Sequence, residues 1–301
     1  MNGLLAALLI VSGASWATGD SPPTLPGPVR GNHSAKGAVI ETLGQDELTD
    51  LRSSYWRSAS AGGGPFYDYA SVSTCGSPRP GDPGANALCA GSFLLCVSTT
   101  GGGDGPALAV WRREVDADGD PVGGAAGEWA PRGITCLPDL VPGAENVLTM
   151  AMIEKAFHAT DFTVPTVNIQ PEGDVTLVNL PTFFEVVLPE DGFGPDEVDR
   201  PDPATLLGYD VEVRPRLKSV TYDLGETTVG PTTDFGGPYP SGSVTHEYSR
   251  PGQQQVRADI VYTGQFRVAG SDWVDIPGEV ALQGEPVTLT VREARSRLYG
   301  S

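Results

Sequence analysis

The residues able to do chemistry are few and scattered. Histidine occurs at His33, His158 and His246, and no Ser or Cys stands in the G-x-S-x-G setting that would make a nucleophile of it. His33 lies in a Pro/Gly-rich stretch. His158 follows a helical pattern, where an imidazolium suits the carbonyl end of the helix dipole. His246 and Tyr248 stand two apart and share one face of an extended strand. An imidazole there requires a hydrogen-bond partner, from the backbone or from the turn at Tyr222 to Thr228, and the pair is read as structural rather than catalytic.

The 38 Asp and Glu offer a different chemistry. Asp116, Asp118 and Asp120 present hard oxygens at alternate positions, as a calcium loop does. Pro121 and Gly127, however, occupy the places where an EF-hand needs Gly and a bidentate Glu, so the segment reads as a β-turn. The acidic run Glu190 to Asp202 reads as a solvated loop. Gly101 to Gly105 lacks the G-K-[ST] of a phosphate cradle. No cofactor and no metal follow from these patterns.

Cys75, Cys89, Cys96 and Cys136 make an even count without the paired C-x₂₋₄-C spacing of structural zinc, so disulfides are expected. Four cysteines allow three connectivities. The favoured one closes the Pro/Gly-rich loop Gly76 to Leu88 with Cys75–Cys89 and joins apparent strands with Cys96–Cys136.

Elements that would position these residues are mainly β. With 39 Gly and 27 Pro punctuating short alternating runs, turns are frequent and helical bundles are disfavoured. Strands are expected at Phe66 to Ser73, Ser92 to Ser98, Ala107 to Arg112, Glu128 to Thr135, Thr163 to Gln170, Thr176 to Leu188 broken at Pro181, and Leu206 to Pro215. Val244, His246 and Tyr248 alternate on one strand, and Val256, Ala258, Ile260 and Tyr262 on the next, with Pro251-Gly252 between them as a hairpin turn. Helical periodicity marks Asp46 to Tyr55 and Glu145 to Phe157.

Leu4 to Val11, followed by Ser15-Trp16-Ala17, reads as a signal peptide cleaved after Ala17, although Met1-Asn2-Gly3 carries no basic residue. The expected organisation is a signal peptide over 1–17, a Pro/Gly-rich linker with a short helix over 18–64, a cysteine-containing β-rich region over 65–142, a linking helix over 143–162 and a β-sandwich over 163–295. Asn32-His33-Ser34 matches a glycosylation sequon by pattern only. A net charge of -19 disfavours nucleic acid and anionic membranes as partners, and no later run is long enough to insert in a bilayer after signal cleavage.

The C-terminal segment His246-Glu-Tyr248-Ser-Arg-Pro251-Gly252-Gln-Gln-Gln-Val256 is similar to the H-x-Y-x-x-P-G-x-Y-x-V segment of the PKD (polycystic kidney disease) domain, with Gln254 in place of the aromatic. Tyr222-Asp-Leu-Gly225-Glu-Thr-Thr228 corresponds to the family's W-D-F-G-D-G turn but has lost the Trp, the Phe and the second Gly. Spanning Thr163 to Ala294, the likeness is to the exported bacterial type of PKD-like protein. It implies an immunoglobulin-like sandwich, a structural role for Tyr222, Gly225, His246, Tyr248, Pro251 and Gly252, and an interaction or spacer role outside the cell. The expectation is therefore a secreted, non-catalytic module meeting a protein or glycan at the cell surface, with Trp111, Trp129 and Trp273 as candidate contacts. The alternative is an extracellular hydrolase using a carboxylate pair.

Overall fold

The computed structural model describes residues 42–52, 65–76, 79–97, 103–142 and 146–295. The signal peptide, the Pro/Gly linker, the Asn32 sequon, Trp16, Trp56 and part of the helix expected at Asp46 to Tyr55 lie outside them. All described residues belong to one compact unit, 38–301.

The chain is mainly β. A helix over 45–52 (α1) sets Leu48 into a small core with Tyr69 and Val110, beside an antiparallel sheet ordered β1 (Phe66–Ser73), β2 (Leu108–Val115), β3 (Ala130–Thr135). Between β1 and β2 lies α2 (Ala90–Val97), where a strand was expected at Ser92 to Ser98. The correction has a plain cause: a short apolar run without polar alternation does not distinguish strand from buried helix. Here Phe93 and Cys96 face inward, while Ser92 Oγ donates to the Cys89 carbonyl at 2.7 Å and holds the first turn. The disulfides are Cys75–Cys89 and Cys96–Cys136, the expected pairs, the second tying α2 to the end of β3.

The second helix of the periodicity, α3 (Met150–His158), begins later than Glu145 because Thr149 caps it, its side chain accepting from Met152 N–H at 3.4 Å. It presents Met150, Ile153 and Phe157 to the core and ends at His158, whose Nε2 stands 3.9 Å from a Glu154 carboxylate oxygen.

Two further sheets follow. One is ordered β4 (Thr166–Gln170), β6 (Thr182–Val187), β9 (Thr245–His246). The other runs β5 (Val175–Leu177), β12 (Val287–Arg292), β10 (Gly252–Val268), β7 (Val211–Asp223), β8 (Thr228–Thr232), with β11 (Val274–Leu282) also on β10. Their inward residues, among them Ile169, Phe184, Val220, Tyr222, Ile260 and Leu289, form one core with Phe93, Leu108, Ile153 and Phe157. The cysteine-containing region and the two sheets thus share their interior.

The hairpin expected around Pro251-Gly252 is corrected. The strand before the turn is only β9, and it pairs with β6, Thr182 opposite His246, rather than with β10. Past Gly252 the chain enters the other sheet, where β10 pairs with β7 along most of its length, with β12 at its start and β11 towards its end. Alternation fixes which side chains share a face, not which strand lies alongside, and Pro251-Gly252 is a corner between sheets. At one place packing demands glycine in mid-strand: a Cβ on Gly264 of β10 would lie 2.9 Å from three ring carbons of Phe157.

Candidate functional site

The turn after β7 is clamped from both sides. Tyr222 Oη donates to the Asp234 carbonyl at 3.0 Å, and Tyr248 Oη donates to the Leu224 carbonyl at 3.0 Å. His246 Nε2 lies 3.1 Å from Glu226 Oε1, and its ring meets Tyr248 edge-on at 4.7 Å. Glycine is required at Gly225: its φ is +86°, and a Cβ would come within 2.4 Å of Gln254 Oε1. Burial first, and neighbouring carboxylates second, push the Tyr222 and Tyr248 hydroxyls above their ordinary range, so both stay neutral donors. Pro251 and Gly252 are exposed at the corner and contribute no functional group.

What the clamp supports is the segment Asp234 to Ser243, which closes over β6. Val186 N–H donates to the Phe235 carbonyl at 2.8 Å, Gly237 N–H to Phe184 at 3.2 Å, and Phe184 N–H to Val244 at 3.0 Å. The Asp234 carboxylate accepts from the Ser243 side chain and from Gly236 N–H, which hold its pKa below the usual carboxylate range. At the tip stands Tyr239, 70% exposed, the most exposed large side chain among the described apolar and aromatic residues. It is not loose. Its N–H donates to Gln170 Oε1 at 2.8 Å, and its ring meets Phe183 edge-on, centroids 5.5 Å apart.

β4 and β6 extend this surface. Gln170 is opposite Phe183 and Asn168 opposite Glu185, with Asn168 Nδ2 donating to Glu185 Oε2 at 3.0 Å. Because strand side chains alternate, these four face outward while Val167, Ile169, Phe184 and Val186 are buried. An aromatic ring held above a row of uncharged amides and one carboxylate can make stacking contacts and directed hydrogen bonds; it holds no nucleophile and base in register.

Of the tryptophans expected as contacts, Trp129 and Trp273 stack with arginines. Trp129 lies 4.4 Å beneath the Arg113 guanidinium, and the Trp273 ring meets the guanidiniums of Arg214 at 4.1 Å and Arg267 at 4.7 Å. Trp111 is half-buried opposite Ala70. Around Trp273, Glu212 is only 12% exposed and pairs with both Arg200 and Arg267. The hydrogen bond from Arg267 is the main reason its carboxyl is held below the ordinary range.

The acidic segments considered for calcium use their oxygens internally. Asp116 Oδ1 accepts from Asp118 N–H at 3.0 Å and Asp120 N–H at 2.9 Å, a turn closed on itself. In the 190–202 loop Glu197 accepts from Gly194 N–H at 2.7 Å, Asp199 from Thr160 Oγ1 at 2.9 Å, and Asp196 pairs with Arg216. Among the described residues no group of three or more His, Cys, Asp or Glu is placed to hold a metal ion, and no helix is long and apolar enough to cross a membrane.

Compared with known proteins, the chain matches no family model, no curated protein and no solved structure. Tyr239 was not legible as a site residue. The only signal was its setting, Gly236-Gly-Pro-Tyr239-Pro-Ser-Gly242, in which an aromatic is set among turn formers that keep it out of a strand interior.

Proposed function

We propose that this chain is an exported, non-catalytic interaction module, PKD-like in its C-terminal half, that meets a protein or glycan at the cell surface through Tyr239 and the outward face of β4 and β6. The observation that carries the reading is the braced exposure of Tyr239: a large amphipathic ring is kept in water by bonds to Gln170 and contact with Phe183, where burial was available to other aromatics. Two disulfides support an oxidising compartment. The motif around His246 and Pro251 supports the PKD-like assignment.

The alternative is an extracellular hydrolase using a carboxylate pair. Of the carboxyls held below the ordinary range, Glu212 pairs with Arg267 and Arg200 and Asp234 with Ser243 and Gly236 N–H, contacts that suit a structural role.

Chain beginning at Thr18 should be retained by a glycan array or by isolated cell-wall material, and Tyr239→Ala should weaken retention at least about tenfold, the loss of one aromatic anchor, with an unchanged melting temperature. Retention of the variant equal to that of the parent, or hydrolysis of any retained glycan, would overturn the reading.

A further inference from the structure

A second recess lies away from Tyr239, where the cysteine-containing region meets the rest of the core. It has a volume of about 230 Å³ and is lined by Tyr69, Ser71 and Ser73 of β1, by Asn86, Leu88 and Leu108, and by Asn146, Val147 and Tyr209. Its floor is apolar and buried, Leu88 and Leu108 belonging to the main core. Hydroxyls and amides surround that floor. No charged side chain lines it.

The wall carrying Asn86 is fixed in advance. The Cys75–Cys89 bridge ties the Asn86 loop to the end of β1, and Ser73 N–H donates to the Ala85 carbonyl at 2.7 Å. Cys75 N–H donates in turn to Ser73 Oγ at 3.0 Å. Among the described residues the side chains of Ser71, Asn86 and Asn146 make no hydrogen bond within the chain, so their donors and acceptors are available to a guest.

This lining selects by chemistry. A charged ligand would lose its hydration without gaining a counter-charge, and a purely apolar one would strand the hydroxyls and amides. A compact ring with C–H faces and a rim of hydroxyls satisfies both surfaces: its faces lie against the tyrosine rings and leucines, and its rim meets Ser71, Asn86 and Asn146. Drug-sized ligands occupy pockets of about 300 Å³ or more, so this one admits a single ring. We propose that the recess binds one uncharged sugar unit, as the end of a glycan or as a free monosaccharide, independently of the Tyr239 surface.

Saturation-transfer NMR on the full-length protein, with glucose, galactose, mannose and N-acetylglucosamine as probes and galacturonate as the charged counterpart, tests this. At least one neutral sugar should receive saturation, with a Kd on the order of 1 mM, and galacturonate should not. The double variant Asn86→Ala/Asn146→Ala changes two exposed side chains and should weaken that binding at least about tenfold; Ser71→Phe, which fills the recess, should abolish it. Tyr239→Ala should leave it unchanged. The proposal falls if no neutral sugar is bound, if galacturonate binds equally well, if the double variant binds as the parent does, or if Tyr239→Ala removes the signal and so places the sugar on the other surface.

Discussion

His246 Nε2 lies 3.1 Å from Glu226 Oε1, and its expected role is to hold the turn. Replacing it with alanine deprives Glu226 of its partner and Tyr248 of an edge contact, and thermal denaturation should show a loss of about 1–3 kcal/mol. Retention on cell-wall material should persist at temperatures where the variant is folded. Its sequence setting left the partner open between the backbone and the Tyr222 to Thr228 turn, and Glu226 of that turn supplies it. At Trp273 the sequence offers a contact candidate, and its stacking with Arg214 and Arg267, on neighbouring strands, is set by long-range pairing that no window of sequence contains. Glu212 at the centre of that cluster gives a pH dependence. Its folded pKa lies below the unfolded value of about 4.3, so its contribution is complete above that pH and vanishes as pH falls through the folded pKa. Glu212→Gln should therefore destabilise by about 1 kcal/mol at neutral pH and make denaturation less pH-sensitive below about pH 4.5.

At the scale of elements, α3 is seated by the missing side chain of Gly264. Gly264→Ala drives a methyl into the Phe157 ring and should lower stability by about 1–3 kcal/mol in urea denaturation; an unchanged midpoint would mean that the helix is free to shift. Strand positions were mostly legible because period-two alternation is local, as β1 and β4 illustrate. Partners were not. Whether β9 lies beside β10 or beside β6 depends on distant backbone, and the local pattern Val244, His246, Tyr248 is the same in either case. The helix at Ser92 was hidden for a related reason: its identity is set by Cys96 facing Cys136 and by Phe93 meeting Phe266 edge-on at 5.2 Å, contacts that no window of sequence contains.

For the whole molecule, the two disulfides restrain different things. Cys75–Cys89 spans 14 residues and Cys96–Cys136 spans 40, so in chain-entropy terms the second should stabilise more, by about 1 kcal/mol, each contributing about 2–4 kcal/mol. Paired Cys→Ala variants compared by differential scanning calorimetry should rank in that order. A reverse ranking would show that the Asn86 wall, rather than chain entropy, carries the first bridge's effect. The core shared by α2, α3 and both large sheets could not be read from the sequence, since apolar periodicity tells each element which face to bury and not whose interior receives it. The central strand, β10, has its partner β7 earlier in the chain and β11 and β12 later, and β12 must then find β5, which precedes it by more than a hundred residues. Loops of that length close slowly. The long interior strand that fastens the native structure therefore also delays it: until β12 arrives, β5 and the Gly252–Val256 start of β10 remain unpaired, and the newly made chain is at its most vulnerable to pairing with its neighbours.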